Sequence, residues 1–598
     1  MNVLTKNVLP SLLFGLCTVG TVYGSDRLQA GQYGIPGVHY ERSGPPAAAA
    51  DAYQSATSDN APALGLALPF SSDKNLALEL TLLVSSDSRN ALAQFGPWLN
   101  EHGISNNAYQ LLFMLEDSRA HGLNPNQYGY EKLRDTANAL AGINELHTEI
   151  AEVPSALRDA FSNNMNAAFI VFAADMSRGV TDARNTQRGL YRNTPVVDIA
   201  SLSASLDAGT ATVMELLQSI MPMNDDYQRL TSIMRTLLEE RESGIERTRV
   251  SGFGSMWQGQ QHDDVFNIKQ RLIETGDMFD RPALSSKFDT KLEHAVMQFQ
   301  RRHGLAPSGI VDKRTRTLLN TSVDQDIADV AVSLERWRWM QRDLGERHVW
   351  VNLPDYRMQL VDGSKEIIDM NVVVGAVDHQ TPSFSRNLSY IDFNPTWTVP
   401  RSIAEKELLP REIKNPGYLQ ARNFNFLEVV NGKRQAIPYS SVRTDELAQR
   451  PFPYILRQDG GPRNALGRVK FMMPNPHSIY LHDTPAKKLF GRTMRAHSHG
   501  CIRLGNPVLF AHELLALDGR STEEIDNLLE KTNTTRTRLR RLVPTHLAYF
   551  TTWIDDNGIM QKRPDIYSHD EALQDALRTA DSLLMELRGT DTLSLATI

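Results

Sequence analysis

Cysteine is nearly absent from this 598-residue chain, which has only Cys17 and Cys501. Two thiols give neither a disulfide framework nor a cysteine-rich zinc module. Positive charge is not in excess either: Lys plus Arg is 63 against 70 Asp plus Glu, a formal −7. A dedicated nucleic-acid binder usually carries a strongly basic domain. Beyond the N-terminus, no segment approaches the ~20 apolar residues of a membrane span. With 41% hydrophobic and 22% charged residues, the chain is not disordered throughout. At roughly 150 residues per domain its length allows about four domains.

The first residues point to a compartment. Lys6 precedes an apolar stretch from Val8 to Val22, and Val22-Tyr23-Gly24 ends it before Ser25. That reads as a secretory signal peptide over 1–24. It places the mature chain outside the cytoplasm, with an inner-membrane anchor as the outcome if the signal stays uncleaved. Cleavage removes Cys17 and leaves Cys501 as the single exported thiol. That thiol is either a buried small hydrophobe or a reactive group.

The rest divides by texture. Residues 25–62, with Ser43-Gly44-Pro45-Pro46 and four alanines from Ala47 to Ala50, read as a flexible leader. Residues 63–256 are helical in pattern, with Ala108, Leu111, Leu112 and Leu115 at helix spacing and a break or kink at Pro222. Residues 257–320 read as three short helices, and 321–345 as a connecting helix. From 346 to 545 the runs are short and rich in Val, Ile and aromatics, which is strand texture with helices near its end. A charged stretch, 401–452, interrupts it with helical or irregular sequence; at that length it is a candidate lid. Residues 546–598 are left as a C-terminal segment. The expected fold class is multidomain α+β.

Cys501 does not stand alone. Tyr480-Leu481-His482-Asp483-Thr484-Pro485 lies upstream of Ala496-His497-Ser498-His499-Gly500-Cys501-Ile502-Arg503-Leu504. A thiol is a weak nucleophile until deprotonated, and a neighbouring imidazole both removes the proton and stabilises the thiolate. Gly500 permits close approach of the backbone, and the N–H groups of Gly500 and Cys501 would form an oxyanion hole. Two other readings stay open on these residues alone. Alternation puts His497, His499 and Cys501 on one strand face, where with His482 they could ligate zinc. Cys501 could also simply fill a core.

The combination of His482 with Ser498-His499-Gly500-Cys501-Ile502-Arg503, preceded by Gly460-Gly461-Pro462-Arg463-Asn464-Ala465-Leu466-Gly467-Arg468-Val469-Lys470-Phe471, resembles the L,D-transpeptidase catalytic domain of the YkuD type. Ile268-Lys269-Gln270-Arg271-Leu272, Ala295 to Gln300, His303-Gly304-Leu305 and Gly309 to Thr315 resemble a three-helix peptidoglycan-binding domain. His121-Gly122-Leu123-Asn124-Pro125-Asn126-Gln127-Tyr128 and Arg336-Trp337-Arg338-Trp339 resemble the scaffold of the large YcbB-type members.

That resemblance implies a helical scaffold, a small peptidoglycan-binding bundle and a mainly-β catalytic domain carrying a lid. It implies 3→3 cross-linking: a cysteine takes the acyl group of a tetrapeptide stem, releases D-alanine and passes the acyl group to a diaminopimelate amine. Cys501 is then the nucleophile and His482 the base, with His499 and Gly500 at the oxyanion site. Arg503, Tyr480, Ser498 and His497 line the substrate, Arg503 either bracing the loop or meeting a carboxylate. His482 and Asp483 are adjacent on a strand, so their side chains point to opposite faces and a backbone carbonyl orients the imidazole. The implied partners are peptidoglycan stems and glycan strands, with other cell-wall synthesis proteins alongside. No metal, organic cofactor or nucleic acid is implied, and the compartment is the periplasm. A hydrolytic or lipoprotein-attaching variant and a non-catalytic wall-binding scaffold are the alternatives. The Arg536, Arg538, Arg540 and Arg541 cluster reads as a solvated helix face.

Overall fold

The computed structural model describes residues 96–589 apart from residues 102, 146–149, 193, 253 and 279–284. The signal and leader expectations, and the helical expectation for residues 63–95, lie outside the described residues. The N-terminal region is built mainly of helices, several of them with side-chain caps. Ser105 accepts from the Ala108 N–H to start α1 (Asn106–Asp117), whose Leu111 and Leu115 are buried. Helices α2 (Tyr130–Glu145) and α3 (Ser155–Arg178) follow. Pro222 separates two helices rather than kinking one: α4 (Val213–Ile220) carries a Thr212/Glu215 capping box, and α5 (Asp225–Ser243) is capped afresh by Asn224.

The bundle consists of α6 (Asp264–Glu274), α7 (Thr290–Arg302) and α8 (Lys313–Leu319), packed around Val265, Ile268, Leu272, Val296 and Phe299. It is held to the C-terminal part of the chain by direct contacts. Arg302 bonds Asp277 through two nitrogens, at 2.7 and 2.6 Å, and reaches the Met560 carbonyl at 3.2 Å. Arg563 donates to the Arg302 carbonyl at 2.9 Å.

Helix α9 (Val323–Arg338) ties the scaffold together. Its Glu335 and Arg338 form a fully buried ion pair at 2.8 Å. Every such charge needs further partners to offset desolvation. Glu335 accepts from the Thr181 N–H and hydroxyl, both at 2.8 Å, and Arg338 donates to the His121 carbonyl at 2.9 Å. Trp337 stacks on Trp350 with ring centroids 5.5 Å apart.

Nine strands of the catalytic region form the main sheet, eight of which close on themselves. They are β1 (Arg347–Asn352), β2 (Arg357–Asp362), β3 (Lys365–Gly375), β4 (Phe384–Phe393), and, after an insertion containing β5 (Trp397–Thr398), β6 (Phe424–Val430), β7 (Lys433–Ile437) and β8 (Ile455–Gln458), the strands β9 (Val469–Met472), β10 (Leu481–His482), β11 (Ala496–Ser498), β12 (Ile502–Leu504) and β13 (Thr535–Ala548). The pairing runs β3-β12-β10-β9-β4-β13-β1-β2 and back to β3, with β11 added in parallel on β3. Alternate residues such as Ile391, Phe393, Val469, Phe471, Leu481, Ile502 and Leu504 fill the interior. Helix α10 (Pro507–Ala516) packs on them, Phe510 lying 4.6 Å from Phe471 between ring centroids.

Three sequence expectations are revised. The boundary at 545 falls inside β13, which continues to Ala548 and pairs with β1 through that residue. Residues after it are no appendage: Ala548, Phe550 and Ile554 enter the scaffold core, and β14 (Thr552–Ile554) pairs with β15 (Met560–Lys562). Arg536 to Arg541 lie on β13 and its bulge, not on a helix. The 401–452 insertion is mainly helical or irregular, as expected, but it also carries β6 and β7, which join the flanking β5 and β8 in a four-stranded sheet, β5-β8-β6-β7, over a core that includes Leu409, Leu419, Phe424, Phe426 and Phe452. Asn431 and Gly432, both at positive φ (49° and 73°), form its two-residue hairpin turn between Val430 and Lys433.

Candidate active site

Strands β10 and β12 are parallel neighbours, with Leu481 opposite Ile502 and His482 opposite Arg503. Leu481, Ile502 and Leu504 point into the core. Tyr480, His482, Cys501 and Arg503 therefore share the outer face. The Ile502 N–H donates to the Tyr480 carbonyl at 3.1 Å, which sets Cys501 beside Tyr480, with His482 the next residue along that face.

His482 is buried, at 5% exposure. Its Nδ1 lies 2.5 Å from the Asp483 carbonyl oxygen. A carbonyl only accepts, so Nδ1 carries the proton and Nε2 keeps its lone pair. The Asp483 carboxylate is engaged elsewhere, accepting from the Arg468 N–H at 2.9 Å, the Thr484 N–H at 2.7 Å and Lys487 Nζ at 2.6 Å. Gly467 packs so tightly on that carboxylate that a Cβ would fall 2.2 Å from it. Burial above all, and then the Arg503 charge, pushes the imidazole down to about 3.

Burial likewise pushes the Cys501 thiol up, against the opposing influence of the Tyr480 N–H and hydroxyl and of the Lys470 and Arg503 charges. Both shifts favour the uncharged forms. They favour thiol and neutral imidazole at rest over the histidine-stabilised thiolate that the sequence led one to expect. In each case burial disfavours the charged form.

The loop before Cys501 is braced from within. Gly500 adopts φ +102°, a conformation that side chains disfavour. Its carbonyl accepts from Thr381 Oγ1 at 2.8 Å, and that hydroxyl oxygen accepts from the Gly375 N–H at 2.9 Å. Tyr567 donates to the Gly375 carbonyl at 2.8 Å. Ser498, expected to line substrate, is buried and turned inward: its hydroxyl donates to the Cys501 carbonyl at 2.6 Å and accepts from the Gly500 N–H at 3.1 Å. The Gly500 N–H is thus already occupied, which revises its assignment to an oxyanion hole. The Cys501 N–H has no acceptor among the described residues.

His499 is engaged by the insertion and by His379. Its Nε2 lies 2.6 Å from Glu407 Oε1, and its ring centroid is 4.6 Å from that of His379. Glu407 sits in a π-helical turn of the insertion, Ala404–Leu408, so this contact fastens the insertion to the catalytic loop. His497 is half-buried and makes no side-chain hydrogen bond or ion pair among the described residues. No group of three or more His, Cys, Asp or Glu side chains among the described residues is arranged to hold a metal ion.

Sequence reasoning assigned nothing to Thr381, Tyr567 or Glu407, which lie 120, 66 and 94 residues from Cys501. No local pattern marks them, because only the barrel closure and the folded insertion bring them to the loop. Lys470 stood inside a quoted motif without a role, although alternation places it on the outer face directly opposite His482.

The region that holds this face, its loop and its folded insertion is similar to a known group of domains. Residues 346–515 match the L,D-transpeptidase catalytic domain (YkuD), residues 95–234 the scaffold domain, and residues 261–319 a family described as "Putative peptidoglycan binding domain". A Haemophilus influenzae protein named "Putative L,D-transpeptidase" is 33% identical over 225 residues, covering 38% of this chain and 45% of that protein. The aligned part thus spans less than half of that relative. Solved L,D-transpeptidases from Xylanimonas cellulosilytica (11% identity, TM-score 0.15, 50% of this chain and 99% of that one) and Stackebrandtia nassauensis (12%, 0.19, 50% and 96%) also align. Superposition at that level adds nothing to the fold described above.

Proposed function

We propose that the protein is a YcbB-type L,D-transpeptidase that joins peptidoglycan stems by 3→3 cross-links through a Cys501 thioester. The observation that carries this reading is the shared outer face: a half-buried thiol on the same face as a histidine whose Nδ1 is fixed as donor, leaving Nε2 as a base. In the first half-reaction Nε2 takes the thiol proton as sulfur attacks the carbonyl of the stem's third residue. The Cys501 N–H meets the developing oxyanion. The imidazolium then protonates the departing amine of D-alanine. In the second half-reaction Nε2 takes a proton from the acceptor's diaminopimelate amine as it attacks the thioester, and the thiol returns.

Arg503 carries no hydrogen bond to the loop among the described residues, which favours a substrate carboxylate over bracing as its partner. The insertion would exclude water, so that the amine rather than hydrolysis resolves the thioester. The bundle would hold glycan, the compartment would be the periplasm, and no cofactor takes part in this scheme. Muropeptide analysis tests it. Expression in a cell lacking 3→3 cross-links should create them, and Cys501→Ala should not. Stem shortening without cross-links would instead identify a hydrolase.

A further inference from the structure

Adjacent registers place one residue from each of five strands in a row on the outer face of the barrel: Arg536, Asp392, Lys470, His482 and Arg503. Within that row the charges are unevenly matched. Asp392 is taken by Arg536, at 2.8 and 3.1 Å. Lys470 is left half-buried, and no carboxylate among the described residues lies within ion-pair distance of it. Its Nζ lies 4.0 Å from the centroid of the Tyr480 ring. Tyr480 lies beside Cys501, its carbonyl accepting from the Ile502 N–H, and its phenol opposes the upward push of burial on the Cys501 thiol. A half-buried ammonium whose register neighbour Asp392 is committed elsewhere carries a desolvation cost that an anion forming nearby would offset.

We propose that Lys470 is a positioning residue for the nucleophile: through the Tyr480 ring it supplies the counter-charge for the Cys501 thiolate as that thiolate forms. An ammonium over the ring draws electron density from it. This makes the phenolic O–H a stronger donor to sulfur, while the charge itself favours the thiolate over the thiol. The other groups facing the sulfur or the row are Tyr480 just before β10, His482 on β10, Arg503 on β12, Asp392 on β4 and Arg536 on β13, with Glu407 and His499 beyond Arg503. His482 is next to Lys470 and is held neutral in part by it. The assignment rests on Cys501 being the nucleophile, but not on any particular stem.

The test is the pH profile of Cys501 alkylation by iodoacetamide in the full chain carrying Cys17→Ser, which reads thiol ionisation without substrate. Lys470→Met should move the profile's midpoint up by about half a unit or more, and Lys470→Arg should return it close to the parent. The midpoint is the readout, since a less acidic thiol is also a better nucleophile once ionised. A Lys470→Met protein with the parent's thermal midpoint and a superimposable profile overturns the proposal. So does one that loses acylation by a stem peptide with the profile unmoved, which would make Lys470 a substrate-carboxylate site. If Lys470→Met melts early, Lys470→Gln is read against the same criteria. Failure of the transpeptidase reading looks different: alkylation responds as described, yet no stem peptide acylates Cys501.

Discussion

Alkylation of the unmodified site should show no early ionisation of Cys501. The imidazole of His482 titrates near 3 against 6.5 for a free histidine, and at 1.36 kcal/mol per unit this disfavours the imidazolium by roughly 5 kcal/mol. The thiol is raised above its ordinary 9.0. A thiolate–imidazolium ion pair at rest would have to overcome both. The perturbation is pH itself, read in the Cys17→Ser chain as the second-order rate with iodoacetamide from pH 5 to 10. The rate should climb with each unit and still be rising at pH 9. Below the thiol's midpoint His482→Ala should leave the curve's shape unchanged, because the imidazole is not the counter-ion of the resting sulfur. Acylation by a stem peptide should behave differently. It needs Nε2 as base, so His482→Ala should slow it by about 10²–10⁴-fold. A plateau in alkylation between pH 5 and 8, lost in His482→Ala, would show a preformed ion pair and refute this reasoning.

A carbapenem, as a strained acyl donor, should leave its adduct on Cys501, and peptide mass spectrometry finding it elsewhere would count against the nucleophile. Thr381→Val removes a buried hydroxyl that bonds both the Gly500 carbonyl and the Gly375 N–H; unfolding should be easier by about 1–3 kcal/mol, and acylation slower, in thermal melts and stopped-flow traces of the same protein. Glu407→Gln weakens the contact between the insertion and His499. Because the pair is about one-third exposed, the change should be modest, with the ratio of thioester hydrolysis to transfer rising about two- to fivefold by chromatography. An unchanged ratio would mean that the contact does not help to exclude water. Buried His482, His546 and His569, lowered to about 3, 4 and 4 mainly by burial, bind protons in the unfolded chain before the folded one. Stability should therefore fall as pH drops below 6.5 towards 4, seen as a lower melting temperature at pH 5 than at pH 7.

Strand alternation was enough to put His482 and Asp483 on opposite faces, and the Asp483 carbonyl is indeed the group at Nδ1. The three helices of the bundle were readable because their apolar spacing and caps are local. Other parts were hidden for physical reasons. The β6–β7 hairpin carried its signal in Asn431-Gly432, but the charged residues on its exposed strand, Lys433 and Arg434, masked the alternation. Ser498 sits in the motif, yet whether a hydroxyl meets substrate or its own loop depends on the turn at Gly500, which only coordinates reveal. The balance of charge between Cys501 and His482 is set by burial, and residue identities do not encode that.

The clasp between Arg302, Met560 and Arg563 gives the three-helix module a fixed station rather than a tether. A module on a flexible cord would raise the nearby concentration of whatever it grips while letting it sample every distance. Here the grip and the reactive sulfur share one frame, so a polymer seated on the bundle would be presented at a set offset. The molecule would then act as a gauge, selecting which repeat along a strand is within reach.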